Sequence, residues 1–183
     1  GLTLVRDYPD KNNLHALFAG FSLGCVVGLD AACSQDKLLF DYALYFAPAI
    51  TLRWYTSLIK ACYPLGNSFV IPSKAPPAYR ANDGTSVAAY KALFHHIREV
   101  TESPCPRIDV PTLCFIDPGD ELVQAKALIP FLEKKKWTQW EIVSVKKELP
   151  GTYHHLIIDP GATGAELWKN METKTAQFLT THF

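Results

Sequence analysis

Gly20, Phe21, Ser22, Leu23 and Gly24 place one hydroxyl between two glycines. A serine hydroxyl becomes a useful nucleophile only when it is held out beside a base. The spacing G-x-S-x-G achieves this where a strand turns sharply into a helix. Residues 14–19 read as an apolar strand and residues 25–33 as an apolar helix. Glycine supplies a permissive backbone at such a turn, where no bulk is expected to fit at the flanking positions. The following helix would point its first N–H groups at the place where negative charge develops. Gly20, Gly24 and Gly28 also repeat at four-residue intervals, as in a packed membrane helix. His15, Ser22 and Asp30 in the same stretch argue against that, as does the cost of about 1 kcal/mol for each glycine inside a helix.

A serine of this kind needs a base and an acid that orients it, and at such elbows the chain order is serine, acid, histidine. Residues 110–116 form a continuous apolar run suited to a buried parallel strand. The run breaks at Asp117, Pro118, Gly119 and Asp120, with Glu121 following. A carboxylate just beyond such a strand lies at the carboxyl edge of the sheet, where open α/β sheets place their sites. Residues 140–145 read as a further strand. A link containing Lys146, Lys147, Pro150 and Gly151 leads to Tyr153, His154 and His155. Thr163 and Glu166 have capping-box spacing before a last helix marked by Leu167, Met171, Phe178 and Leu179.

On these three motifs the chain resembles the serine α/β-hydrolases, and within them the small-capped carboxylesterases and monoacylglycerol lipases. The match runs from about residue 14 to the end. The resemblance implies Ser22 as nucleophile, Asp120 as acid, His154 as base, and the backbone N–H of Leu23 as one oxyanion-hole donor. It favours Asp120 over Asp117, which could equally be a turn aspartate, as could Asp120. His155 could be the base instead; the five-position spacing to Asp159 favours His154. Cys25 stands where the family often has glycine, which bears on how closely the helix packs. No metal or organic cofactor is implied. His95 and His96 face different directions on a helix read over residues 86–101, so they are ordinary polar residues rather than a metal pair.

The chain has 183 residues, 48% apolar and 20% charged, with zero formal net charge. That suits one globular domain and excludes the basic footprint of a nucleic-acid binder. The Lys134–Lys136 run suits a helix C-terminus facing solvent. Five cysteines form an odd set without C-x-x-C spacing, so at least one thiol is free. This argues for a reducing, cytoplasmic location and against zinc. No leader, membrane anchor, repeat or low-complexity tract is legible.

Residues 51–103 read as an insertion after a strand over residues 41–47, with helices over 52–63 and 86–101 and a proline-punctuated stretch between them. In the resembled family this is the cap above the serine. Trp54, Tyr55, Tyr63, Phe69, Tyr79 and Phe94 could line an acyl pocket or form the cap's own small core. Only 21 residues precede Ser22, and residues 1–13 offer no second oxyanion donor. The expectation is therefore the C-terminal portion of a larger α/β-hydrolase-like fold, with a mostly parallel sheet, helices on both faces and a small cap. The strand over residues 14–21 would then have an unpaired edge, which promotes association unless the missing portion or an oligomeric partner covers it. The chemistry implied is carboxylic ester hydrolysis through an acyl-enzyme, on substrates such as monoacylglycerols or short-to-medium chain esters. Acyl transfer, thioester or peptide hydrolysis, or a non-catalytic binding role are the alternatives on the same fold.

Overall fold

The computed structural model describes residues 2–80, 82–103, 105, 108–148 and 153–182. The link expected at Pro150 and Gly151 lies outside them. Helix α1 (Leu2–Asn12), in a region where the sequence suggested no element, precedes the sheet. Arg6 Nη1 donates to Asp41 Oδ2 at 2.6 Å, and the Ala16 N–H donates to the same oxygen at 2.8 Å. Burial pushes the Asp41 carboxyl up, but Arg6 and the Ala16 amide outweigh it and hold the group below its ordinary value.

Strand β1 (Leu17–Phe21) runs into helix α2 (Leu23–Cys33), and β2 (Tyr42–Phe46) follows. Residues 54–65 form a run of 3₁₀ turns rather than the expected α-helix, with Pro64 inside it. A short hairpin of β3 (Val70–Pro72) and β4 (Gly84–Ser86) leads to helix α3 (Val87–Glu102). Ser86 caps α3 by accepting the Ala89 N–H. The chain continues through β5 (Thr112–Ile116), α4 (Ala125–Lys135), β6 (Trp140–Ser144), the short α5 (Pro160–Thr163) and α6 (Ala165–His182). As the lysine run suggested, α4 ends there, with Lys136 left-handed at the C-cap.

The four long-paired strands form a parallel sheet in the order β1-β2-β5-β6. Because the order advances in one direction, right-handed crossovers bring the connecting helices to one face. The burial pattern agrees. Ala43, Tyr45, Cys114 and Ile116 share a core with Leu29 of α2, Val100 of α3 and Leu128 of α4. Their strand neighbours Leu44, Leu113 and Phe115 meet Met171 and Phe178 of α6 on the opposite face. β5 is buried throughout, as expected of a strand covered on both faces. β1 lies at the sheet edge, and among the described residues no strand pairs with its outer side.

Cys33 at the end of α2 is bridged to Cys105, while Cys25, Cys62 and Cys114 are free. A bridge persists in oxidising surroundings, so the odd cysteine count does not carry the expectation of a reducing compartment. Among the described residues, no helix is long and apolar enough to cross a membrane.

The glycines around Ser22 are not equivalent. A Cβ on Gly20 would meet the Cys25 backbone N at 3.0 Å, and one on Gly28 would meet the Phe18 ring at 2.2 Å. That ring is stacked on Phe40 and edge-on to Tyr45, so it cannot swing away freely. Gly24 departs from the expectation of a crowded flank, since a Cβ there meets nothing within 4 Å. Gly24→Ala should therefore raise stability by about 0.5–1 kcal/mol through the unfolded chain and helix propensity. Gly28→Ala should lower it by about 1–3 kcal/mol through overpacking. Urea unfolding of the two variants, shifting in opposite directions from the parent, checks the packing of α2 on β1.

Candidate active site

The strand-to-helix junction creates the first element of the site. Ser22 has φ 52° and ψ −115°, a conformation that side chains disfavour and that marks functional turns. Its backbone is nevertheless satisfied. The Ser22 N–H donates to the Phe46 carbonyl at 2.9 Å, and its own carbonyl accepts from Cys25 and Ala49 at 3.2 Å. The hydroxyl makes no capping bond to α2, so it is available to a partner outside the helix. Leu23 opens α2, and the first N–H groups of a helix have no acceptor within it.

The acid loop follows β5. Asp120 is fully buried, and its Oδ1 accepts the N–H groups of Leu122 and Val123 at 2.7 and 2.8 Å. Its Oδ2 lies 2.8 Å from His155 Nδ1, and His155 Nε2 lies 2.7 Å from Ser22 Oγ. Since the carboxylate can only accept, Nδ1–H of His155 donates to it. Nε2 is then the acceptor and the Ser22 hydroxyl donates. The His155 side chain is 6% exposed, with Phe21 and Tyr153 packed around the ring.

The structure departs from the placement expected of His154. Ser22 and Asp120 are brought together as expected, but His155 joins them and His154 does not. His154 Nδ1 instead donates to Asp117 Oδ2 at 2.8 Å. Residues 153–156 form a turn, with the Leu156 N–H donating to the Tyr153 carbonyl at 3.2 Å. Consecutive residues of the turn carry their rings to different carboxylates. The spacing to Asp159 misleads for a physical reason. Asp159 caps α5 by accepting the Ala162 N–H at 3.0 Å and also accepts Tyr79 Oη–H at 3.1 Å. Thr163 does not stand at the N-cap position expected of it, because it is the last residue of α5 and Gly164 directly precedes α6.

The segment after β2 is fastened to the acid loop. Leu52 bridges Val123, Arg53 Nε donates to the Asp120 carbonyl at 2.5 Å, and Tyr55 Oη–H donates to the Glu121 carbonyl. Between the 3₁₀ run and α3 lies a cavity of about 630 Å³, lined by Leu52, Tyr63 and Phe94 together with Lys60, Lys91 and Arg98. Neither Ser22 nor His155 lines it. His96 pairs with Asp30 of α2 at 2.6 Å, and His95 approaches Glu99 at 3.6 Å, so the two histidines serve separate partners.

No family model matches the chain, and no curated protein matches it in sequence. Solved structures do match in shape. A monoacylglycerol lipase from Paleococcus ferrophilus superposes with TM-score 0.70 at 15% identity, covering 100% of this chain and 74% of that one. A soluble variant of the Saccharomyces cerevisiae monoglyceride lipase gives TM-score 0.71 at 14% identity, covering 96% and 65%. The Exiguobacterium antarcticum esterase gives 0.55 at 14% identity, covering 97% and 72%. The fold is that of the α/β-hydrolases. Within this α/β-hydrolase fold, Ser22, Asp120 and His155 all follow the carboxyl ends of parallel strands, at one edge of the sheet.

Tyr153 reports on the electrostatics of this edge. Burial, then the nearby Glu121 and Asp120 charges, push its phenol up to about 12. The folded value lies above the ordinary value of about 10. The neutral phenol's contribution to stability is thus fully present below about pH 10 and is lost as pH rises through about 12. The ultraviolet difference titration between the parent and Tyr153→Phe should show a phenol ionising near pH 12. The Phe variant should lose less stability over that alkaline interval. A difference titration centred near pH 10 would contradict the burial of this ring.

Proposed function

We propose that the chain hydrolyses carboxylic esters through an acyl-enzyme. The observation that carries the reading is the continuous proton path from Ser22 Oγ to His155 Nε2 at 2.7 Å and from His155 Nδ1 to Asp120 Oδ2 at 2.8 Å. In acylation, Ser22 Oγ bonds to the ester carbonyl carbon as its proton passes to His155 Nε2. The charged imidazole is stabilised by Asp120, and the Leu23 N–H is the proposed donor to the oxyanion. His155 then gives the proton to the departing alcohol oxygen as the ester C–O bond breaks. In deacylation, water takes the place of the alcohol. Its proton goes to His155 and then to Ser22 Oγ, releasing the carboxylic acid.

Residues 51–103 act as the cap in this proposal. Their attachment through Arg53 and Tyr55 to the backbone of the acid loop supports that role, and α3 anchors the segment against α2. The similarity to a monoacylglycerol lipase, a monoglyceride lipase and an esterase makes acyl esters such as monoacylglycerols the substrate class to try first.

A fluorophosphonate, which modifies activated serines, tests the nucleophile, and a panel of esters of graded chain length tests turnover. Ser22→Ala should abolish labelling. Both Ser22→Ala and His155→Ala should cut ester turnover by about 10⁴–10⁶-fold, because the members of such a set act as a unit. Asp120→Asn should cost about 10⁴-fold by favouring the wrong imidazole tautomer. His154→Ala and Asp117→Asn should each cost less than about tenfold, or about 1.4 kcal/mol, because this pair lies off the path from Ser22 through His155 to Asp120. Equal losses at His154 and His155 would remove the assignment of the base, and labelling that survives Ser22→Ala would remove the nucleophile.

A further inference from the structure

The turn that carries His155 is gripped by two charged side chains that take no part in the proton path. In a turn closed by the Leu156 N–H on the Tyr153 carbonyl, the two central N–H groups, those of His154 and His155, are left for other acceptors. Both go to one carboxylate. The His154 N–H donates to Glu121 Oε1 at 2.9 Å, and the His155 N–H donates to Oε2 at 3.0 Å. The carbonyls at the two ends of the turn go to one ammonium. Lys147 Nζ donates to the Tyr153 and Leu156 carbonyls, each at 2.6 Å, and Lys147 is only 4% exposed.

We propose that Glu121 and Lys147 are positioning residues for His155, together fixing the turn so that Nε2 stays within reach of Ser22. This rests on the proposed role of His155 as base. Asp120 holds the imidazole while the adjacent Glu121 holds the backbone amide of the same residue. His155 is thus held at both its ring and its backbone by adjacent residues of one loop. A bidentate carboxylate fixes the plane of the two amides as well as their distance, since charge-assisted bonds of this kind are short and directional. Lys147 closes the opposite side, and its own N–H donates to Asp117 Oδ2 at 3.3 Å, tying the clamp to the start of the acid loop. Neither residue touches the reacting atoms. Their effect is on the fraction of time the imidazole is correctly placed.

Glu121→Gln is the decisive variant, because it keeps shape but offers one acceptor in place of two. Lys147→Met removes the ammonium, and Lys147→Arg restores a donor. The rate of fluorophosphonate labelling of Ser22 and the kcat and KM for a model ester are measured for each, beside thermal unfolding. The exchange of the His154 and His155 amide protons with solvent is followed by NMR in the parent and in Glu121→Gln. The expected result is kcat and labelling slowed by about 10–100-fold in Glu121→Gln with KM within about twofold. One of the two amides should also lose protection while the unfolding temperature holds. Lys147→Arg should recover part of what Lys147→Met loses. If Glu121→Gln labels within about twofold of the parent rate while folded, the positioning role is overturned. If Lys147→Met does not fold, Glu121→Gln decides alone. A parent chain that does not label at all removes the proposed function. The clamp is then judged on the amides, and equal exchange in the parent and Glu121→Gln would overturn it as well.

Discussion

The structure depends on one residue held in a conformation it would not choose. A non-glycine residue at a sparsely populated backbone position costs about 1–3 kcal/mol and persists only where its surroundings fix it. Ser22 is fixed by three backbone hydrogen bonds, one of them to the end of β2. The elbow therefore exists only if β1 and β2 are paired to their last residues, and the register pairs Phe21 with Phe46. It also needs α2 to lie close against β1, which Gly20 and Gly28 permit. Sheet pairing, helix packing and the exposure of one hydroxyl are thus a single constraint.

Much of this was legible in the sequence because it follows from short-range rules. The buried strand after Val110, the helix after Ser22 and the helix capped by Ser86 each carry an unbroken apolar run or a fixed spacing. Ser22, directly after β1, and Asp120, in the loop beyond β5, were legible as candidates from their positions after strands. Which histidine would meet them was not. Two adjacent histidines differ by one position, and their separation is decided by which ring direction the turn at residues 153–156 assigns to each. The Cys33–Cys105 bridge was also hidden, since it joins two segments 72 residues apart whose meeting depends on how α3 lies on α2. The 3₁₀ run over residues 54–65 replaces the helix expected over residues 52–63 along its whole length, and Pro64 lies beyond that expected span.

The acid loop explains why a second carboxylate and a second histidine stand beside the first pair without disturbing it. Asp117, Asp120 and Glu121 lie within five residues, a concentration of negative charge that would be costly if unpaired. Each is matched by N–H donors. Asp117 takes those of Gly119, Lys147 and the His154 ring, Asp120 takes those of Leu122, Val123 and the His155 ring, and Glu121 takes the two turn amides. Every carboxylate in the loop is therefore an acceptor facing donors, and both imidazoles must present Nδ1–H to it. In the neutral form of either ring, that fixes the tautomer and makes Nε2 the acceptor. The two histidines differ in burial, with His155 the more enclosed, and in what stands opposite Nε2, which at His155 is the hydroxyl that the elbow holds out.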